Sequence, residues 1–221
     1  MNKSTFTILT GLTLALGSAS ALADDAFYSA KVGADMWWGN TEANEVTRDD
    51  STSASLYFAF EHKLPMIPNA SIRYTTIDAD YVAFDKYDYT LYYSLMEHDL
   101  LHFDAGMTFT QYSNSHYVNG APAANTEKFD EFTWSWYAQG EINVPKTELS
   151  IIGQMEFGDS SGIKSADIMA GVQYRIPLEA ADIALRGGYR VIDLESDVFA
   201  SDLGKSFILV DGWFLGGAVE F

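Results

Sequence analysis

Cysteine is absent from the 221 residues, which excludes a disulfide framework, a thiol nucleophile, a thiolate metal site and a lipoprotein acylated on its first residue. Positive charge is scarce. Thirteen Lys and Arg stand against 31 Asp and Glu, a formal net charge of −18, and an excess of this sign repels phosphate and argues against nucleic acid. Long hydrophobic runs are missing too. No stretch beyond residue 23 approaches the roughly 18 apolar residues of a membrane-spanning helix, and no segment there keeps an apolar stripe of period 3.6. No Gly-rich phosphate loop and no haem or nicotinamide motif occurs, so no cofactor is expected. What the chain has in quantity is aromatic residues: 14% of the total, 13 of them Tyr.

The first 23 residues read MNKSTFTILTGLTLALGSASALA. Lys3 gives a basic start, an uncharged stretch runs from Phe6 to Leu16, and Ala21-Leu22-Ala23 places small residues around a cleavage point. The strongly apolar part is too short to cross ~30 Å of hydrocarbon. A signal peptide over residues 1–23, cleaved after Ala23, is expected, and residues 24–221 form the exported domain.

Beyond the leader the chain counts in twos. Tyr28, Ala30, Val32, Ala34, Met36 and Trp38 alternate with Ser29, Lys31, Gly33, Asp35 and Trp37. In a strand these sets face opposite sides. The pattern recurs over residues 53–61, 70–76, 87–95, 101–110, 132–144, 148–157, 167–176, 182–191 and 212–221. None of the apolar-set positions carries a charge. Short connections at 62–69, 96–100, 145–147 and 177–181 alternate with long polar ones at 39–52, 77–86, 113–130, 158–165 and 194–205. Ten antiparallel strands with both chain ends on the short-turn side are the layout of an outer-membrane barrel.

The same alternation would serve a secreted soluble β-sandwich with its apolar side inward. Two features favour the barrel. The polar set is rich in Gly, Ser and Thr (Gly33, Ser55, Ser71, Thr75, Gly106, Thr108, Gly171), which suits a crowded lumen. The apolar set carries rings near segment ends (Tyr28, Trp38, Tyr87, Trp134, Tyr189, Trp213), as an interfacial girdle requires. The fold class is therefore all-β: a transmembrane antiparallel up-and-down barrel of ten strands, located in the cell outer membrane, with lipid and lipopolysaccharide as its surroundings.

The C-terminus reads DGWFLGGAVEF. Trp213, Leu215, Val219 and the terminal Phe221 resemble the last-strand signal recognised by the barrel-assembly machinery. With Gly216-Gly217 just before the end, the chain resembles a family of small outer-membrane β-barrel proteins of gammaproteobacteria named for a C-terminal Gly-Gly. That resemblance implies location and architecture and carries no biochemical activity.

On the polar set, Glu61 and Arg73 stand on either side of the first short turn and are expected to pair. A two-residue hairpin between segments eight and nine would set Asp167 opposite Arg190 and Arg175 opposite Asp182. Glu156 falls beside Asp167, so Arg190 would neutralise two carboxylates. With Arg186 these residues read as an ionic cluster filling a narrow lumen, and the chain as a structural protein or a narrow pore rather than an enzyme. A barrel hydrolase of lipid or peptide at the cell surface is the alternative. Its candidates are Ser113, Ser115, His116 and Glu127 in the third long loop, where no base–nucleophile spacing is evident. Asp49, Asp50, Asp78 and Asp80 lack the spacing of a calcium loop and read as solvated acidic loops, so no metal site is expected.

Overall fold

The computed structural model describes residues 27–43, 46–79, 81–118, 126–196 and 206–221; the side chains of 48, 49, 126, 127 and 206 are outside it, as is the expected leader. All described elements are strands: β1 (Tyr28–Ala43), β2 (Val46–His62), β3 (Asn69–Asp78), β4 (Val82–His98), β5 (Leu101–Val118), β6 (Thr126–Glu127), β7 (Phe132–Asn143), β8 (Leu149–Ser160), β9 (Ile163–Pro177), β10 (Asp182–Ser196) and β11 (Ser206–Glu220). Two-residue β6 pairs only with the end of β5, at Tyr117 and Val118. The other ten close into a barrel, each antiparallel to its neighbours, with β1 beside β11 and β4 beside β5. In lipid this closure matters because no backbone group is left at an edge. Phe221 and Ala30 exchange backbone hydrogen bonds of 2.8 and 3.1 Å, fixing the seam at the chain terminus.

Alternation decides which side chains meet lipid. Met36, Trp38, Phe58, Leu91, Trp136, Ile151, Val172, Leu185, Trp213 and Leu215 are all exposed, Trp213 to 68%. Their neighbours one residue away, Trp37, Tyr57, Thr90, Tyr92, Tyr137, Ser150, Gln173, Arg186 and Phe214, are buried in the lumen. The rings are therefore outside, as a lipid-facing wall needs, and the sandwich arrangement is excluded.

The strands run on well past this band. A tilted membrane strand needs about 9–11 residues, yet β1 has 16, β4 17 and β5 18. Of the long polar connections expected from the sequence, 39–52, 77–86 and 158–165 are thus largely strand. The one between β8 and β9 is only Ser161 and Gly162, both at positive φ. Residues 119–125 and 197–205, in the other two, lie outside the described residues. Above the ring level the two faces exchange character. Outward positions become polar and charged (Asn40, Asp78, Asp159, Lys164, Asp193), while Ile77, Val82, Phe84, Ile163, Ile192, Leu194, Ile208 and Val210 turn inward and are fully buried. Water replaces hydrocarbon outside, so the stable pattern inverts: the projecting end is built like a soluble barrel with a dry core.

Candidate functional site

From the tight-turn end, periplasmic in outer-membrane barrels, the lumen has three tiers: a polar vestibule, a buried ionic layer and an apolar cap. The ionic layer is centred on Lys86 of β4. Its Nζ donates to Asp88 Oδ2 at 2.9 Å, Glu156 Oε2 at 3.0 Å and Asp167 Oδ2 at 2.8 Å, from β4, β8 and β9. Arg190 of β10 holds Asp167 through Nε (2.9 Å) and Nη2 (2.7 Å), and its Nη1 reaches Ser55 and Thr75 across the lumen. The guanidinium also lies 5.2 Å from the Trp37 ring centroid. Thr110 donates to the second oxygen of Asp88 at 2.6 Å. Gln154 donates to Glu156 and accepts from Arg73.

Beside this group Arg186 binds Asp35 through two nitrogens, at 2.8 and 2.5 Å, and sits 4.2 Å from the Tyr57 ring centroid. That ring lies against Gly33 so closely that a Cβ there would come within 2.2 Å of it. Four cations (Arg73, Lys86, Arg186, Arg190) thus face four carboxylates (Asp35, Asp88, Glu156, Asp167). Desolvating an ion costs several kcal/mol, repaid only when its hydrogen-bonding capacity is met; here nearly every carboxylate oxygen has a donor. Oxygens of Asp88, Glu156 and Asp167 lie within 4.8 Å of one another, close enough to ligate a metal. The Lys86 ammonium occupies the position such an ion would need, so the trio does not fit a resident metal.

Several expected pairings differ. The β9–β10 connection has four residues, 178–181, rather than two. Asp167 therefore stands opposite Ile192 and Arg190 opposite Met169, and Arg175 stands opposite Ala184. A two-residue slip preserves facing, so Arg190 still reaches Asp167 diagonally. Arg175 does not meet Asp182; it pairs with Glu141 at 2.7 Å and Glu220 at 3.6 Å in the vestibule, where Lys31 also holds Glu220. Asp182 sits half-buried beside Glu220 in the ladder. Glu61 and Arg73 do not pair. Arg73 extends inward to Gln154, while Glu61 accepts from Tyr92 at 2.8 Å and Ser29 at 3.4 Å. Glu156 lies opposite Asp167 in the β8–β9 ladder. Lys86 was not anticipated because residues 77–86 read as loop. Continuing the inward parity of Asp88, Thr90 and Tyr92 by one step would have found it.

The cap closes the outer end. Trp37, Phe84, Tyr112, Tyr117, Ile163, Ile192, Leu194, Ile208 and Val210 cluster there. Phe129, from the β6–β7 connection, folds in among them with ring centroids 5.7 Å from Phe84 and 5.8 Å from Tyr112. A latch holds it: Ser115 donates to Asp130 through its amide (2.9 Å) and hydroxyl (2.8 Å), and the Phe129 amide donates to Ser115 Oγ at 2.7 Å. These bonds hold the Asp130 carboxyl below the usual carboxylate range. Between cap and ionic layer lies a cavity of about 10 Å³, room for one water at most. The hydrolase candidates do not assemble. Ser115 is buried and engaged in the latch, and His116, next to it in the strand, faces away. The Glu127, Asp49 and Asp80 side chains lie outside the described residues.

Below the ionic layer a pocket of about 80 Å³ opens into a vestibule of about 480 Å³ at the tight-turn end. His102 binds Asp104 there at 2.9 Å, and Glu97 and Asp99 stand exposed at its mouth.

No protein-family model and no curated protein matches the chain. Solved structures do. The β domain of the Bordetella autotransporter BrkA superposes with a TM-score of 0.51 at 12% identity, covering 88% of this chain and 98% of that one. The translocator domain of the autotransporter NalP from Neisseria meningitidis gives 0.41 at 14% identity over 97% and 96%. Ail of Yersinia pestis gives 0.27 at 9% identity over 88% and 99%. At this identity the likeness to the BrkA β domain is one of fold alone: the chain folds as a closed β-barrel of the outer-membrane type.

Proposed function

We propose that this protein is a sealed, structural outer-membrane barrel, with no through-passage for solutes and no catalytic site. The observation that carries the reading is the stacking of two different obstructions, the Lys86–Arg190 ionic layer and the apolar cap stoppered by Phe129. Ten strands enclose little more than the eight whose interior side chains fill. A narrow pore would need both obstructions to part, and the ionic layer resists because separating its members strands charges in low dielectric.

Export by residues 1–23, recognition of Trp213, Leu215, Val219 and Phe221 by the assembly machinery, contact with lipopolysaccharide, and membership of the Gly-Gly family belong to the same reading. Trp213 and Leu215 are exposed on the lipid side of the last strand, a supporting arrangement. Reconstitution in a planar bilayer tests it. No unitary conductance is expected at any voltage, alongside heat-modifiable migration on a gel showing an intact barrel. Steady conductance from that folded material would overturn the sealed reading.

A further inference from the structure

The tight-turn end carries one connection unlike the others. Between β2 and β3 the chain reads Lys63-Leu64-Pro65-Met66-Ile67-Pro68, with no charge and no polar side chain after Lys63. The other tight turns each hold ionic residues: Asp99 in one, Lys146 and Glu148 in the next, Glu179 in the last. Leu64, Met66 and Ile67 are all exposed, Met66 to 91%. Met66 also stands at φ 67°, the left-handed region where glycine or asparagine is the ordinary choice. A long apolar side chain held outward in a strained conformation, facing water, gains nothing within the barrel itself. Such an outlier points to a surface that it meets.

The placement of the turn says what that surface is. Tyr93 stands on the lipid-facing side of β4, in line with exposed Leu91 and Leu95. Its hydroxyl donates to the Met66 carbonyl at 3.0 Å, which holds the turn on the outer side of the wall. None of residues 63–68 lines the vestibule. On the other flank the Lys63 amide donates to the Phe27 carbonyl at 3.1 Å. Phe27, Tyr28 and Phe60 are exposed there, with successive ring centroids 5.0 and 5.5 Å apart. The apolar skin of the barrel thus continues into the turn. Its backbone suits the same surroundings, because a chain lying among lipids must satisfy its own polar groups. The Leu64 amide donates to His62 Nδ1 at 3.2 Å, Phe27 takes the Lys63 amide, and Pro65 and Pro68 have no N–H. Lys63 is exposed and can reach phosphate with its ammonium while its stem stays beside the apolar residues.

We propose that residues 64–67 are a lipid-inserted foot, with Leu64, Met66 and Ile67 buried in the inner, periplasm-facing leaflet and Tyr93 and Lys63 fixing the turn at headgroup level. The partner of this surface is phospholipid, and the foot sets the depth of the wall built by β2 and β3. None of this depends on whether the lumen is sealed.

The chain has no cysteine, so a nitroxide can be attached at one introduced thiol. Met66→Cys, Ile67→Cys and, as the control in a polar tight turn, Lys146→Cys are each labelled in the full-length barrel. Each is refolded into vesicles of phosphatidylcholine and phosphatidylglycerol. Paramagnetic resonance then reads accessibility to oxygen, which concentrates in hydrocarbon, against a neutral nickel chelate, which stays in water. The oxygen-to-nickel ratio at 66 and 67 should exceed that at 146 by about fivefold, because apolar groups there leave water for the leaflet. Adding Tyr93→Phe to Met66→Cys removes only the hydroxyl that holds the Met66 carbonyl, and should lower the ratio at 66 by about twofold. Heat-modifiable migration shows that each variant is folded, and Ile67→Cys decides the matter if Met66→Cys does not fold. Ratios at 66 and 67 equal to that at 146 overturn the proposal, since they leave the turn in water, as docking of a periplasmic protein would require. Low accessibility to both reagents also overturns it, because the turn would then be packed against protein.

Discussion

At the scale of single residues the lumen is governed by Lys86. Three carboxylates, Asp88, Glu156 and Asp167, converge on one ammonium. Lys86→Met would leave them with Arg190 as their nearest cation, and breaking a buried pair in this way costs about 3–5 kcal/mol. The expected outcome is a matching loss in urea-unfolding free energy from lipid vesicles, with Lys86→Arg milder. Gly33 makes a different demand. Tyr57 lies over it and carries Arg186 on its other contact surface, so Gly33→Val should displace the ring and destabilise by about 1–3 kcal/mol through overpacking. Outside the membrane, Asp130 titrates the Phe129 latch. Its pKa is depressed in the folded state, so its contribution is present above the unfolded-state value and lost as pH falls through the lower folded one. Hydrogen exchange at the Ser115 and Phe129 amides, corrected for intrinsic rates, should rise only in acid below the ordinary carboxylate range. In Asp130→Asn it should be raised at neutral pH.

Strands make the inversion of faces testable element by element. On β10, Leu185 meets lipid, whereas Ile192 is buried in the cap and Asp193 is exposed. Leu185→Arg should cost about 2–4 kcal/mol near the bilayer centre. Ile192→Asp should also be severe, because it buries a charge without a partner. Asp193→Leu, an apolar gain on the outside, should stay within about 0.5 kcal/mol. A barrel whose lipid face continued to the strand tips would reverse the last two results in vesicle unfolding. The same strand shows what could be read from sequence. Alternation fixed facing over 182–191 because lipid tolerates no charge there. It did not reveal where the strand stops, since apolar Ile192 and Leu194 continue the chain on the opposite parity and read as the start of a loop. The pairing of Arg190 with Asp167 was approachable from facing alone, but register depended on a turn two residues longer than the minimum. Arg175 and Asp182 show the cost of that error. The cap and the pocket beneath the ionic layer were not legible, because both arise from residues of many strands meeting across the lumen.

For the molecule as a whole, charge and apolar surface are sorted by height. The ionic layer lies low, with lipid around it, where its ions face one another across a narrow lumen; the dry cap lies high, surrounded by water. The projecting end therefore presents soluble-protein rules to the cell exterior. Its outward sites, such as Asn40, Asp159, Lys164 and Asp193, bear neither acyl chains nor packing. Among homologues, evolutionary drift should concentrate on one set of alternate residues above the rings and on the other set below them. A phage or antibody pressing on this surface can be escaped by changes there without disturbing a single internal bond.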